Sequence, residues 1–329
     1  MEVVYADAVR QALAEEMRRD PLVWVMGEDL TTSHGSTSAD QYKGLVDEFG
    51  PKRVVNTPIA ESTIMGAGVG AAIAGTRPIA DLRQVDFGLC AMDELVNQAA
   101  KIRYMFGGQT RVPLVIRQMM GTRAGLAAQH CLSNEAWFVH TPGLIVVCPA
   151  TPADGRGLLK SAIRCNDPVV FLEHKELWQS KGEITPDMPD VIPLGKAQIT
   201  RTGRDLTIVA WSKMSRMAVV AAAEMAQSGI EAEVIDLRTL WPWDRECVLR
   251  SVAKTGRLLV AQESVQVAGL AGEIAMSVLE HLPTGLLKCP VKRLGAPRIP
   301  VGYSPPLEAE YRVTERHVLQ AARDMFQQS

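Results

Sequence analysis

The fold of this chain is decided by the stretch Val54-Val-Asn-Thr-Pro-Ile-Ala-Glu61, then Gly66-Ala-Gly-Val-Gly-Ala-Ala-Ile-Ala-Gly75 and Pro78-Ile-Ala-Asp-Leu82. Its pattern predicts a brief strand, a helix of small residues over 61–74, and a second strand. Each glycine costs a helix about 1 kcal/mol, so their repetition indicates that another backbone approaches this helix closely. That close contact is either between subunits or within the helix's own domain.

Outside this stretch, short apolar runs alternate with helical patterns through the first half of the chain. The segment 30–42 is rich in Ser, Thr and Gly and is predicted to be a loop. Apolar strands separated by helices imply a mainly parallel sheet that is covered on both faces. The predicted strands are 22–26, 113–117, 144–148 and 169–173, and the predicted helices are 6–18, 91–104 and 152–163.

The alternation breaks at a polar, proline-rich segment, 181–196, which we interpret as a linker between two α/β domains. The first domain is then 1–180 and the second 197–329. In the second domain the predicted strands are 206–211, 232–236, 257–263 and 288–294, and the predicted helices are 215–227, 244–255, 269–279 and 314–325.

Composition excludes several classes of protein. The 329 residues are 47% hydrophobic and 22% charged with a net charge of −2, which gives no reason to expect a nucleic-acid partner. The six cysteines are far apart and form no C-x-x-C pair, so we expect reduced thiols. The N-terminus lacks a signal-peptide pattern and no run is long and apolar enough for a bilayer, so the expected location is the cytoplasm.

Three residues are candidates for chemistry, although the usual phosphate-loop, nucleophile-elbow and zinc motifs are absent. Glu61 heads the small-residue helix, where a carboxylate also gains about 0.3–1 kcal/mol from the helix dipole, with Asn56 or Thr57 as possible caps. Phe87 follows a strand and is equally typical of a core. His130 lies in a Gly- and Ala-rich loop after a strand end, where ligand sites form in such sheets. The residues alone leave both the structural and the catalytic interpretation open.

Ordered motifs along nearly the whole chain resemble the β subunit of the thiamine-diphosphate-dependent decarboxylating component of pyruvate, branched-chain 2-oxo acid and acetoin dehydrogenase complexes. These motifs are Asn56-Thr-Pro-Ile-Ala-Glu61, Gly75-Thr-Arg-Pro-Ile, Val85-Asp-Phe87, Asp93-Glu-Leu-Val-Asn-Gln, Val112-Pro-Leu-Val-Ile-Arg117, Ala127-Ala-Gln-His130, Asp167-Pro-Val-Val-Phe-Leu-Glu-His-Lys175 and Val234-Ile-Asp-Leu-Arg-Thr-Leu240. The resemblance implies an N-terminal thiamine-diphosphate pyrimidine-binding-type domain with a parallel sheet, followed by a C-terminal transketolase-C-like α/β domain.

The resemblance also assigns roles to the candidate residues. Glu61 is the carboxylate that hydrogen-bonds the pyrimidine ring nitrogen of the cofactor, as a partly buried group with a raised pKa. Phe87 packs against the aminopyrimidine, and Ile59 lies nearby. His130 faces the reacting carbon and positions groups or transfers a proton during lipoyl reduction and acyl transfer.

Partners and metals follow from the same resemblance. A separate α subunit holds the diphosphate and magnesium, and two copies of each chain form a heterotetramer that passes the acyl group to lipoyl groups of an acyltransferase core. A potassium ion is implied at main-chain carbonyls of the residues that match the family's ligands: Leu114, Ala162, Ile163, Cys165 and Asp167.

Some positions depart from the family's pattern and leave the substrate open. Arg83 stands where a neutral residue is common, and Arg123, in the loop before His130, reads a substrate carboxylate or is a solvated surface residue. Two alternative functions are a transketolase-like or synthase half-enzyme, which needs phosphate-reading Arg and His residues, and a non-catalytic assembly subunit.

Overall fold

The computed structural model describes residues 1–31, 41–185 and 187–327 of the chain. Most of the loop predicted at 30–42 lies outside the described residues. Contacts between Cα atoms divide the chain into two compact units. The first unit comprises Met1–Met120 and Trp137–Leu194, and the second comprises Gly121–Ala136 and Gly195–Ser329. The segment Gly121–Ala136, which carries His130, therefore belongs to the second unit although the first unit surrounds it in sequence.

A parallel sheet forms the centre of the first unit, as predicted from its apolar runs. The strands of this unit are β1 (Glu2–Val4), β2 (Val23–Gly27), β3 (Val54–Asn56), β4 (Arg77–Gln84), β5 (Val115–Met120), β6 (Ile145–Val147), β7 (Val169–His174) and β8 (Lys181–Glu183), of which β1 and β8 form a separate antiparallel pair. The parallel strands follow the order β6-β7-β5-β4-β2-β3. Because β2, β3 and β4 are adjacent, the segments that follow their carboxyl ends lie close together.

The helices of the first unit match the predicted ones closely, except over 91–104. They are α1 (Tyr5–Arg19), α2 (Leu45–Phe49), α3 (Glu61–Ile73), α4 (Ile102–Met105) and α6 (Pro152–Arg164), while α5 (Glu135–Val139) starts in the inserted segment. The predicted continuous helix is a 3₁₀ turn (Phe87–Ala91), a π-helical segment (Glu94–Ala99) and the short α4. The Ser62 hydroxyl donates a 2.7 Å hydrogen bond to the Cys90 carbonyl. A backbone acceptor of the 3₁₀ turn is thus bound by a side chain from outside the turn.

The glycines of α3 were explained by a close contact either within the helix's own domain or with another subunit, and different glycines of the helix fit each explanation. A Cβ added to Gly68 would lie 3.1 Å from methyl groups of Leu114 and Met26, so this glycine lets the helix approach its own sheet. Gly66 and Gly70 are exposed, as are Ser62 and Ile73. One face of α3 therefore packs within the first unit, and the opposite face stays uncovered.

The segment interpreted as a linker contacts the first unit at β8 and at Ile192. Strand β8 pairs antiparallel with β1, in register from Glu2 with Glu183 to Val4 with Lys181. Ile192 is 5% exposed, and its amide donates to the Gly157 carbonyl at 3.2 Å. The local composition predicted an irregular segment but did not reveal these partners, because they lie far away in sequence.

A five-stranded sheet forms the core of the second unit, in the order β14-β13-β10-β11-β9, with β9 antiparallel to β11. The strands of this unit are β9 (Gln198–Arg201), β10 (Leu206–Ala210), β11 (Ala232–Asp236), β12 (Thr239–Trp241), β13 (Leu258–Val265) and β14 (Lys292–Ala296). The strand predicted from residue 288 begins four residues later, since Pro290 has no amide hydrogen for a ladder.

Helices α7 to α11 complete the second unit. They are α7 (Ser212–Ala226), α8 (Arg245–Thr255), α9 (Leu270–His281), α10 (Pro305–Tyr311) and α11 (Glu315–Gln327). The ends of α8 follow ordinary capping rules: the Asp244 carboxylate accepts from the Cys247 amide at 3.2 Å, and Gly256 has φ of 71°.

A buried network of charged and polar side chains lies inside the first unit. Arg117 on β5 is 1% exposed, and each of its three guanidinium nitrogens donates a hydrogen bond. Glu173 accepts at 2.9 and 2.6 Å, and the Tyr42 hydroxyl accepts at 2.6 Å and donates to Asp81. The chain thus supplies its own partners for a fully buried cation.

Four cysteines are buried, at positions 131, 148, 247 and 289, and all six are free thiols. Within the described ranges, no helix combines the length and the apolar character that a bilayer crossing needs.

Candidate functional site

Glu61 is the first residue of α3, immediately after the loop that leaves β3. The N-cap position is Ala60, with φ of −163° and no side-chain cap. The prediction that Asn56 or Thr57 caps this helix is wrong: the Asn56 amide oxygen instead accepts from the Leu30 amide at 2.8 Å. Glu61 is half-buried, and nothing in the described parts of the chain donates to its carboxylate or pairs with it. This carboxylate is therefore available to a group from outside the chain.

Glu28, at the carboxyl end of β2, is a neighbouring acid that sequence reasoning missed. Burial raises the pKa of Glu28; the Arg83 guanidinium opposes this, while the charges of Asp29, Glu61 and Asp81 add to it. Arg83 lies 3.6 Å from both Glu28 and Asp29. The position of Glu28 after a buried strand was the available signal, because ligands bind outside the carboxyl ends of strands.

Phe87 begins the 3₁₀ turn that follows β4, and it is half-buried. The bond from the Ser62 hydroxyl to the Cys90 carbonyl ties this turn to the first turn of α3. The structure therefore brings the segments that carry Glu61 and Phe87 together. Ile59 precedes Glu61 by two residues and is 78% exposed, so its side chain is free to contact another molecule.

Buried polar atoms without a described partner lie on the same strands and loops. They include both amide atoms of Gln118, the amide oxygen of Gln84 and the hydroxyl of Thr57. Gly88, next to Phe87, has no room for a side chain because an added Cβ would overlap the Gln118 amide. Unsatisfied buried groups of this kind call for water or a ligand. A carboxylate, an aromatic ring and unsatisfied polar atoms together fit a polar heteroaromatic ring.

His130 lies in the second unit, half-buried in the segment Gly121–Ala136. The turn before it is tight: Ala127 has φ of 55°, and the His130 amide donates to the Ala127 carbonyl at 3.4 Å. Arg123 in the same segment is exposed. Side chains of the second unit hold this loop, and the sequence around His130 carries no sign of them.

The five residues proposed as potassium ligands lie in the first unit, between the start of β5 and the start of β7. Two of their carbonyls have main-chain donors: Leu114 accepts from the Val169 amide at 2.9 Å, and Ala162 accepts from the Cys165 amide at 3.2 Å. The Asp167 carboxylate pairs with Arg103.

Arg77 donates to two other carbonyls of this group, those of Ile163 and Cys165, and to the carbonyl of Arg164 between them. Its guanidinium binds the carbonyl oxygens of Ile163 at 2.8 Å, Arg164 at 2.7 Å and Cys165 at 2.8 Å. The guanidinium of arginine is permanently charged, so Arg77 already places a positive charge against these carbonyl oxygens. A potassium ion would have to use the second lone pairs of the same oxygens.

Comparison with known proteins covers both units. The family of the transketolase pyrimidine-binding domain matches residues 1–181, and the family of the transketolase C-terminal domain matches residues 195–318. The predicted two-domain α/β fold is therefore confirmed.

Individual relatives match nearly end to end. The chain is 44% identical to the β subunit of acetoin:2,6-dichlorophenolindophenol oxidoreductase from Cupriavidus necator, over 96% of this chain and 95% of the relative. It is 43% identical to the mitochondrial pyruvate dehydrogenase E1 component subunit beta-2 from Oryza sativa subsp. japonica, over 93% and 82%. A split-gene transketolase, solved as an inactive β₄ tetramer, has a TM-score of 0.81 at 25% identity and 99% coverage of both chains.

Proposed function

This chain belongs to the transketolase-like family that contains the β subunits of acetoin and 2-oxo acid dehydrogenases, and we propose that Glu61 makes it the cofactor-activating half of the enzyme. It is the β subunit of a thiamine-diphosphate-dependent oxidoreductase that works with an α subunit. The observation that carries the proposal is the Glu61 carboxylate, half-buried at the start of α3 and without a partner in the described chain.

When bound, thiamine diphosphate supplies the nucleophilic carbon that attacks the substrate's carbonyl group. Glu61 would hold a proton at the pyrimidine ring nitrogen, and the positive end of the α3 dipole lies beside its carboxylate. A group that shares a proton in this way contributes general acid–base catalysis. Glu28, whose pKa is raised by burial, would add a second proton-binding group near Glu61.

Phe87 and Ile59 would hold the pyrimidine ring in place. A stacked aromatic ring contributes about 0.5–1.5 kcal/mol beyond its buried area, and the 3₁₀ turn fixes the backbone at Phe87. Ile59 is largely exposed in the isolated chain, which supports its burial against a cofactor or an α subunit.

His130 would act in the later part of the reaction. An imidazole can donate or accept a proton near neutral pH, which suits acyl transfer to a lipoyl group. Hydrogen bonds from Thr122 and Gly125 to carboxylates of the same unit support an ordered loop around it.

We further propose that two copies of each chain assemble and that the acyl group passes to a lipoyl acyltransferase core. Diphosphate and magnesium would be held by the α subunit. The uncovered face of α3, with exposed Gly66, Gly70 and Ile73, supports a close contact with another chain.

Potassium remains a proposal for the carbonyls of Leu114, Ala162, Ile163, Cys165 and Asp167. Because Arg77 already donates to two of them, the ion would add to an existing electrostatic arrangement. Its contribution should therefore be small.

Titration calorimetry on separate and mixed chains tests the division of the cofactor site. We expect thiamine diphosphate with magnesium to bind poorly to the β chain alone and tightly once the α partner is added. Tight binding by the β chain alone would contradict the proposal.

Activity of the co-expressed α and β chains distinguishes the substrates and the alternatives. Lipoamide-dependent turnover of pyruvate, a branched-chain 2-oxo acid or acetoin supports the dehydrogenase function. Transfer of a two-carbon unit between sugar phosphates would favour the transketolase-like alternative. Full activity of the complex carrying Glu61→Ala would favour an assembly role for the chain.

A further inference from the structure

A carboxylate of the second unit holds the first part of the His130 loop. The backbone amide and the hydroxyl of Thr122 both donate to the same oxygen of Glu263, each at 2.7 Å. Glu263 lies on β13, an interior strand of the second unit's sheet between β14 and β10. Hydrogen bonds to an ionised acceptor are roughly twice as strong as neutral ones.

A second carboxylate holds the loop three residues further on. The Gly125 amide donates to Glu308 at 3.0 Å, and Gly125 has φ of 75°, a conformation that favours glycine. Glu308, on α10, is 5% exposed. Its other oxygen accepts from Arg312 Nε at 2.7 Å, which fixes the orientation of the carboxylate.

The part of the loop after His130 is fixed by burial. Cys131 is 1% exposed and belongs to the second unit's hydrophobic core, together with Tyr311. The Gly121 amide donates to the Leu132 carbonyl at 2.9 Å and closes the base of the loop. Glu135 is fully buried and accepts from Trp211 Nε1 at 3.1 Å and the Ser264 hydroxyl at 2.9 Å.

We propose that Glu263 and Glu308 are positioning residues that fix the loop carrying His130. They act through Thr122 and Gly125, and neither side chain needs to touch the cofactor or the substrate. The inference rests on the proposed function, because it takes His130 as a reacting group. A displacement of about 1 Å at such a group can cost roughly 100-fold in rate, so a loop anchored at only one end would be a poor catalyst.

Hydrogen exchange on the assembled α/β enzyme tests the positioning directly. We expect Glu263→Ala to speed exchange at amides 121–130, and Glu308→Ala to speed exchange around Gly125. Glu263→Gln keeps an acceptor oxygen and should restore most of the protection. Glu224→Ala is the matched control, because Glu224 is an exposed carboxylate of the same unit that pairs only loosely with Arg323, at 3.5 Å.

Kinetics on the same variants link the loop to the reaction. We expect Glu263→Ala to lower kcat with lipoamide about 10- to 100-fold with little change in KM, and Glu263→Gln to recover most of that loss. Thr122→Ala removes only the hydroxyl bond to Glu263 and tests the same contact in a protein that keeps every buried carboxylate.

The two measurements separate failure of this inference from failure of the proposed function. Unchanged exchange over 121–130 in Glu263→Ala, or an equal change in Glu224→Ala, would overturn the positioning role whatever the activity. Faster exchange with undiminished kcat would overturn it as well, since the loop would then not need fixing. If His130→Ala turned over normally while exchange responded as expected, the role proposed for His130 would fail instead.

Discussion

Two groups of charged side chains in the first unit differ in how far the chain satisfies them. Around Arg117, all three guanidinium nitrogens donate to acceptors of the chain, and the ion pair with Glu173 is almost fully buried. Around Glu61, nothing in the described ranges donates to the carboxylate or pairs with it.

The difference separates a structural cluster from a functional one. Burying a charge is costly unless it is paired, and every nitrogen of the Arg117 guanidinium finds an acceptor within the chain. A half-buried acid without a partner at the start of a helix is useful if another molecule completes it, as in a ligand site. Mutation should therefore affect stability at Arg117 and activity at Glu61.

The largest expected effect is that of Glu61→Gln on turnover. Losing the shared proton should lower kcat of the α/β complex by about 10²- to 10⁴-fold. The free energy of unfolding should change by less than about 0.5 kcal/mol, because no described residue binds the carboxylate. Glu246→Gln, in the first turn of α8, is the matched control and should leave both quantities unchanged. Full turnover by Glu61→Gln would remove Glu61 from the mechanism.

Arg117→Ala should show the opposite pattern. Removing one partner of a buried pair leaves Glu173 uncompensated, which costs about 3–4 kcal/mol in the free energy of unfolding. Denaturant unfolding measures this, with Arg204→Ala as the control, since Arg204 is an exposed surface residue. A loss below about 1 kcal/mol would mean that the network does not stabilise the unit.

Gly88→Ala probes the packing of the turn that carries Phe87 against Gln118, the neighbour of Arg117 on β5. The added Cβ would overlap the Gln118 amide, and overpacking of this kind costs about 1–3 kcal/mol. Gln118→Ala in the same chain should relieve most of the loss, so a double-mutant cycle should give a favourable coupling energy. Additive effects of the two substitutions would show that the side chains do not meet.

The pH dependence of stability should reveal the contribution of the partly buried acid Glu28. Burial raises the pKa of Glu28, so the folded protein binds this proton more tightly than the unfolded chain does. Its contribution is fully present below the unfolded Glu pKa, about 4.3, and is lost as pH rises through the folded value. The stability of the natural protein relative to Glu28→Gln should therefore fall as pH rises from 4 to 8. Thermal unfolding without cofactor measures it, and a rising difference would refute the sign.

Exchange of potassium for choline at constant ionic strength should have the smallest effect. If the ion is present at a few times its Kd, it stabilises the fold by about 1 kcal/mol. Since Arg77 already donates to two of the five carbonyls, we expect a small shift in Tm and little loss of activity. Unfolding of the protein in choline would show that potassium is structurally essential.

Most regular elements could be predicted from the sequence, whereas the partners of the charged residues could not. Strands β2, β5 and β7 appear as apolar runs, and α1 as helical spacing, because local periodicity reflects burial on one face. The bond from Arg117 to Tyr42 spans 75 residues, and that from Arg117 to Glu173 spans 56. No local pattern encodes such pairs, so the sequence did not predict the Arg117 network.

The sequence by itself determined the alternation of strands and helices, the family resemblance, and the place of Glu61 at the start of a helix. These depend on spacing along the chain and on motifs of a few residues. Only the tertiary structure decided that Gly121–Ala136 belongs to the second unit, that Glu263 and Glu308 accept from its amides, and that Arg77 binds two of the carbonyls expected for potassium. Those contacts join residues 86 to 183 positions apart, and folding alone brings them within hydrogen-bonding distance.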